Sequence, residues 1–168
     1  MKVTKEIHEL LEKYKSVKID LGCGEAKQLG WIGIDIRPVK GVDLVWDLEK
    51  MPYPLPPECA NLLMASHLVE HLKPWFFIDI MNEWWRILKY EGQLMIATPY
   101  GGSPGFWQDP THINGCNETT WDYFDPFGQG LYKIYKPKPW KIEKSLWNMQ
   151  GNIEVVLAKR REDKSYYL

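Results

Sequence analysis

The chain has 168 residues, of which 45% are hydrophobic and 26% charged, and a formal net charge of −1. Such a length suits one full-sized domain over 1–168, burying about 70% of the surface its unfolded form exposes, and excludes a second domain of any size. No apolar run approaches the roughly 18 residues of a membrane span, the first residues are too charged for a signal peptide, and a charge near zero argues against a protein that coats nucleic acid. A cytoplasmic chain without a membrane partner is therefore expected.

Residues 131–168 hold nine Lys and Arg against four Asp and Glu, and the first 130 hold twelve against eighteen, so +5 faces −6. A solvated basic face explains this better than a surface for an anionic substrate does. Cys23, Cys59 and Cys116 lack paired spacing, which predicts reduced thiols and neither a disulfide framework nor a cysteine zinc site.

In chain order, Ile7, Leu10, Leu11 and Tyr14 recur at helical spacing after Thr4, a cap residue, so residues 1–16 are expected to carry an amphipathic helix. Val17 to Leu21 reads as a first strand, Trp31 to Ile36 as a second, Val42 to Trp46 as a third and Leu62 to Ala65 as a fourth. Four prolines make Met51 to Pro57 a loop. Pro74 opens a helix whose apolar face runs from Phe77 to Leu88 before Gly92 stops it. Trp75, Trp84 and Trp85 leave that helix apolar nearly all round, which suits deep burial or a homodimer face. Gln93 to Thr98 is a fifth strand. Residues 99–140 form a loop or lid region rich in Gly, Pro and aromatic residues, with a short helical stretch at Thr119 to Phe124. Lys141 to Trp147 and Ile153 to Lys159 flank a turn at Gln150-Gly151-Asn152 and read as a hairpin. The order predicts a mainly parallel α/β sheet with an antiparallel edge, binding ligands beyond the carboxyl ends of its strands.

The stretch VKIDLGCGEAKQLGWIGIDI stands at that place. Gly22 and Gly24 let the backbone turn tightly and approach a small molecule, and Asp35 ends the next strand, where a carboxylate accepts ribose hydroxyls. Lys27 occupies the position where a dinucleotide fingerprint needs its third glycine. Asp20 before the glycines would repel pyrophosphate and suits a cationic nucleoside.

VKIDLGCG resembles the first motif of the class I S-adenosylmethionine-dependent methyltransferases, and GIDI, WDLEKMPYP, LLMASHLVEHL and EWWRILKYEGQLMIATP follow in the family's order over Val17 to Pro99. The resemblance implies a Rossmann-like, doubly wound, seven-stranded sheet, S-adenosylmethionine as cofactor and S-adenosylhomocysteine as product. It implies that Asp20 faces the methionine amino group, that Gly22, Cys23 and Gly24 floor the cofactor, and that Asp35 holds the ribose with Ile36 on the adenine. Asp47 and Leu48 would meet the adenine amine, and Ser66 and His67 would border the transferred methyl. The sequence departs from the family in two ways: Ala26 replaces a glycine, and only ten residues separate Gly24 from Asp35. The first crossover helix must therefore shrink to a turn or loop, which leaves the cofactor's side exposed unless the helix at residues 4–15 covers it.

His67-Leu-Val-Glu-His71 also fits the H-x-x-E-H zinc-protease pattern, but it directly follows a strand inside the methyltransferase-like order, so no metal is expected and His71 reads as a buried, hydrogen-bonded histidine. In Asp109-Pro-Thr-His112, His112 is a candidate general base oriented by Asp109 or Thr111, against a loop held by side-chain hydrogen bonds. The function expected is metal-independent methyl transfer to a small-molecule hydroxyl or amine. Two alternatives stay open. One is a non-catalytic, cofactor-binding partner subunit. The other is a nucleic-acid methyltransferase, less favoured because Ser66-His67-Leu68 stands where enzymes acting on exocyclic base amines carry Asn-Pro-Pro-Tyr or Asp-Pro-Pro-Tyr.

Overall fold

Short apolar runs become neighbouring parallel strands in the computed structural model, which describes residues 5–14, 16–148 and 151–167. Strand β1 (Lys18–Leu21) pairs on one side with β2 (Ile32–Asp35), which carries β3 (Leu44–Val45), and on the other with β4 (Ala60–Ser66). Strand β5 (Leu88–Pro99) lies parallel to β4, and β7 (Asn152–Lys159) runs antiparallel between β5 and β6 (Trp140–Trp147). The seven strands take the order β3-β2-β1-β4-β5-β7-β6, the mainly parallel sheet with a C-terminal antiparallel hairpin that the sequence predicts. Gly151 makes the hairpin turn with a φ of +80°; Gln150 lies outside the described residues.

Helix α1 (Lys5–Glu12) buries Ile7 and packs Leu10 and Leu11 against the core, and Tyr14, just past its end, packs there too; Thr4 lies outside the described residues. Helix α2 (Phe77–Ile87) follows a 3-10 turn opened by Pro74 and buries Phe77, Ile80, Met81, Trp84 and Ile87 at helical spacing. Those five side chains remove on the order of 8–15 kcal/mol of apolar surface from water, before entropy is counted. The helix ends before Gly92 because Leu88 turns to extended φ and ψ and enters β5, pairing with Ala60. Trp84 is fully buried, whereas Trp75 stands in solvent. The loop region after β5 holds α3 (Pro104–Trp107), a 3-10 turn at 118–123 and α4 (Tyr132–Tyr135). Its Trp121, Phe124 and Trp140 join the main core rather than forming a lid. No helix among the described residues is long and apolar enough to cross a membrane.

Residues 22–31 and 36–43 connect β1 to β2 and β2 to β3 without a helix. Right-handed crossovers of this kind would cover one face of the sheet. Accordingly Leu63, Ala65, Leu94, Ile96, Val155 and Leu157 are buried, while Leu62, Met64, Met95, Ala97 and Val156 on the opposite face are only half-buried.

The connection from β3 to β4 also lacks a helix, and a polar clamp holds its proline-rich loop instead. Arg86 Nε donates to Glu83 Oε2 at 2.7 Å and its Nη2 to Glu83 Oε1 at 2.6 Å and to Leu55 O at 2.9 Å. Tyr53 N–H donates to Glu83 Oε1, Tyr53 O–H to Leu48 O at 2.8 Å, and Trp84 Nε1–H to Tyr53 Oη. Replacing Arg86 leaves the buried Glu83 carboxylate without its cation, a change that costs about 3–5 kcal/mol. We therefore expect Arg86→Leu to lower the urea midpoint by that equivalent without changing m; a loss below about 1 kcal/mol would show that the clamp does not hold the loop.

Candidate active site

Gly22 carries the chain out of β1 with a φ of +66°, and a Cβ there would stand 2.8 Å from Leu68 Cδ1. The Gly22 and Cys23 N–H groups both donate to Ile34 O, at 2.8 and 3.1 Å. Gly24 N–H donates to Asp35 Oδ2 at 2.8 Å, and Arg37 donates to Asp35 Oδ1 through its backbone N–H at 2.9 Å and its Nε at 3.2 Å. Burial works to raise the Asp35 pKa, but these hydrogen bonds together with the guanidinium charge outweigh it and hold the carboxyl below its ordinary range. Asp20 goes the other way. Burial raises its pKa despite the Gln28 N–H it accepts at 3.1 Å and the nearby Lys27 charge.

The carboxyl ends of β1, β2 and β3 open into a cleft of about 350 Å³, lined by Gly22, Asp35, Ile36, Trp46, Asp47 and Leu48 on one side and by Glu49, Leu68, His71, Leu72 and Lys73 on the other. Five of the residues expected to hold the cofactor thus meet in one place. The other five lie outside the lining. Asp20 anchors the loop at Gln28, Cys23 is buried with its thiol pushed up to about 11 by burial and then by Asp20 and Asp35, and Gly24 serves Asp35. Ser66 lines a separate depression on the half-buried sheet face with Met64 and Met95. His67, exposed and at a φ of +51°, turns its Nδ1 to Glu70 Oε1 at 3.2 Å. Helix α1 gives no residue to the cleft.

Sequence reasoning missed Trp46, Glu49, Leu68, His71, Leu72 and Lys73. Trp46 and Glu49 flank the Asp47-Leu48 pair, so their neighbourhood was legible. Lys73 reaches the site only by a long-range contact, an ion pair with Glu49 whose Oε1 also accepts the Lys73 N–H at 2.8 Å.

A second cavity of about 500 Å³ follows β5, lined by Tyr100, Gly101, Phe106, Trp107, His112, Ile113 and others up to Asn117. Between the two cavities stand His71 and His112, their rings edge to face at 4.7 Å. His71 is exposed, not the buried histidine expected, because it sits on the short 3-10 turn 69–71 at the rim of the cleft. Its Nδ1 lies 3.0 Å from Thr111 Oγ1, whose own proton goes to Asp109 Oδ1 at 2.7 Å. The Asp109 carboxylate thus orients His71 through Thr111, and stands 3.8 Å from His112 Nε2, beyond hydrogen-bond reach. Phe106 O takes the orienting role for His112, accepting from Nδ1–H at 2.8 Å.

Two of the glycines with positive φ in the first loop, Gly22 and Gly30, separate two effects. Gly22→Ala adds a close contact to the left-handed strain of about 1–2 kcal/mol, whereas Gly30→Ala, at a φ of +79° with nothing within 4 Å, adds the strain alone. Chemical denaturation should show the Gly22 variant as the less stable; equal losses would mean that Leu68 moves aside freely.

No protein-family model matches the sequence, and no curated protein does. Solved structures are similar to it over nearly their whole length. An S-adenosylmethionine-dependent methyltransferase from Archaeoglobus fulgidus aligns at 18% identity with a TM-score of 0.65, covering 91% of each chain. One from Methanosarcina mazei aligns at 14% and 0.60, covering 96% of this chain and all of that one. A Haloferax volcanii chain in complex with the Trm112 methyltransferase activator aligns at 11% and 0.61, covering 93% and 90%. At these identities the likeness is one of architecture, and with the strand order above it gives this chain the Rossmann-like fold of the class I S-adenosylmethionine-dependent methyltransferases.

Proposed function

We propose that this chain is an enzyme that transfers a methyl group from S-adenosylmethionine to a hydroxyl or amine of a small molecule, leaving S-adenosylhomocysteine. The observation that carries this reading is the cleft that gathers Gly22, Asp35, Ile36, Asp47 and Leu48 at the strand ends. Its volume lies within the about 300–1,000 Å³ of small-molecule sites.

The lining fits such a cofactor. Ile36 is 61% exposed at the cleft, an apolar surface free for an aromatic ring. Asp35 and Asp47 supply negative charge where a cationic nucleoside would lie, while the Lys73 charge is matched by Glu49. A carboxylate offers about four lone-pair sites, and three of those on Asp35 are taken. The Arg37 side chain, 64% exposed, must therefore give up its place for both ribose hydroxyls to be held.

Bound S-adenosylmethionine supplies a methyl on a sulfonium, which is displaced in line. The protein's part is to orient the acceptor behind that carbon, an effect that reaches about 7–11 kcal/mol. The cavity beside His112 is where an acceptor would sit, and a non-catalytic cofactor-binding subunit would have no use for it. A hydroxyl acceptor must also lose a proton, and the histidine pair stands at the border of the two cavities to receive it, worth about 10²–10⁴-fold. Four of the nine basic residues of the C-terminal segment, Lys138, Lys141, Lys159 and Arg160, are paired with Glu162, Glu143, Glu58 and Asp125, which reduces the positive charge open to nucleic acid.

Calorimetric titration of S-adenosylmethionine and S-adenosylhomocysteine tests this. Asp35→Ala removes two charge-assisted hydrogen bonds to ribose and should weaken both ligands by about 100-fold or more, while Arg37→Ala should retain binding. A wild-type protein that binds neither ligand would overturn the reading.

A further inference from the structure

We propose that Glu70, His71 and His112 form a site for one divalent transition-metal ion of the zinc type, set between the two cavities. A nitrogen of each ring and a carboxylate oxygen of Glu70 lie within 4.8 Å of one another. The backbone brings them there. Glu70 O accepts the N–H groups of Ile113 and Asn114 at 2.8 and 3.1 Å, and Asn114 Nδ2 donates to Val69 O at 3.2 Å, stapling the His112 loop onto the 69–71 turn.

The hydrogen bonds fix what each group can offer. Phe106 O can only accept, so His112 Nδ1 carries a proton. The Thr111 hydroxyl proton goes to Asp109, so His71 Nδ1 also carries one and donates to Thr111 Oγ1. Each neutral ring is left with Nε2 as a lone pair. Glu70 is fully buried, its Oε2 accepting from Thr98 Oγ1 at 3.1 Å and its Oε1 facing His67. Two rings with a free lone pair each thus stand beside a buried carboxylate, an arrangement that positive charge would stabilise.

Either a proton or a metal ion can provide it, and the surroundings favour the metal. Each ligand has an outer partner: a carbonyl on His112, a Thr-Asp pair on His71, a hydroxyl on Glu70. Metal-bound histidines and carboxylates are oriented in this way. Two histidines and one carboxylate leave a position open, as in catalytic zinc sites. Tetrahedral bonds of about 2.0–2.1 Å imply ligands about 3.4 Å apart, so the 4.8 Å spread must close by up to about 1.4 Å. His71, the exposed member of the three, is the side chain with room to move. Metal binding stands on these residues alone. Its use rests on the methyl-transfer reading: a hydroxyl acceptor on the open position would lose its proton to solvent, with His112 a ligand in place of a base.

The test is titration of Zn²⁺ into the chelator-treated full chain by calorimetry, with the visible absorption of bound Co²⁺ as a second readout. One equivalent should bind. His71→Ala, at an exposed position, and His112→Gln should each abolish uptake, and Thr111→Val, which removes only the outer partner of His71, should weaken it about 10-fold. No stoichiometric uptake by the wild type, or uptake unchanged in both histidine variants, would overturn the site, leaving the pair to share a proton. Titrating S-adenosylhomocysteine into the same samples keeps the two readings apart: a protein that binds it but no metal loses the metal site alone, and one that binds metal but not the nucleoside loses methyl transfer alone.

Discussion

Glu70 is the residue on which the functional end of the molecule depends. It is 0% exposed, and every polar atom it has past its own N–H is used: the carbonyl holds the loop at Ile113 and Asn114, and the carboxylate holds Thr98 near the end of β5 and faces His67 after β4. A buried carboxylate is costly unless its partners are in place, so the turn after β4, the end of β5 and the loop beyond it are fixed together or not at all. The cleft and the second cavity share a wall that Glu70 holds together with the Asn114–Val69 and Thr111–His71 contacts. Its negative charge also reaches Cys116, whose thiol is pushed up to about 12, first by burial and then by Glu70.

The rest of the architecture answers a different constraint, the shortness of the connections. Parallel strands are ordinarily joined by helices that cover the sheet. Here three of the connections are loops, and side-chain chemistry does what helices would do. The Asp20 carboxylate pins the first loop at Gln28, Asp43 Oδ2 accepts from Gly33 N–H and Lys27 Nζ, both at 2.8 Å, to tie the second to the first, and the Glu83–Arg86 pair holds the third. Asp20 and Asp43 stand in or beside strands, and Glu83 on α2, so each loop is tied to a regular element. The open sheet face at Met64, Met95 and Val156 is the consequence of the same economy.

Much of this was legible in the sequence, for physical reasons. Glycines at 22 and 24 announce positive φ, Asp20 and Asp35 lie at or near strand ends, and MPYPLPP cannot be a helix, so the mainly parallel sheet with its antiparallel edge and half of the cleft followed. The boundaries that were misread depended on partners distant in sequence. Leu88 looks like the last apolar residue of a helix, but Ala60 draws it into the sheet. Asp109 sits three residues from His112, and local spacing pairs the two; the fold instead hands its carboxylate through Thr111 to His71, forty residues away from that threonine. Ser66 and His67 end β4 as the motif order implies, yet the left-handed φ at His67 turns them from the cleft, and no pattern of residue types signals that turn.

The central claim is that the cleft beside Asp35 holds the adenosyl cofactor with its reacting end toward the histidine pair. A crystal structure of the wild-type protein grown with S-adenosylhomocysteine tests it most directly. The account predicts ribose hydroxyls on Asp35 with the Arg37 side chain displaced, the adenine against Ile36 and Leu48, and the sulfur directed toward His71 and His112. Density for the ligand in another depression, or in this cleft with Arg37 still seated on Asp35 and the sulfur turned away from the histidines, would contradict it.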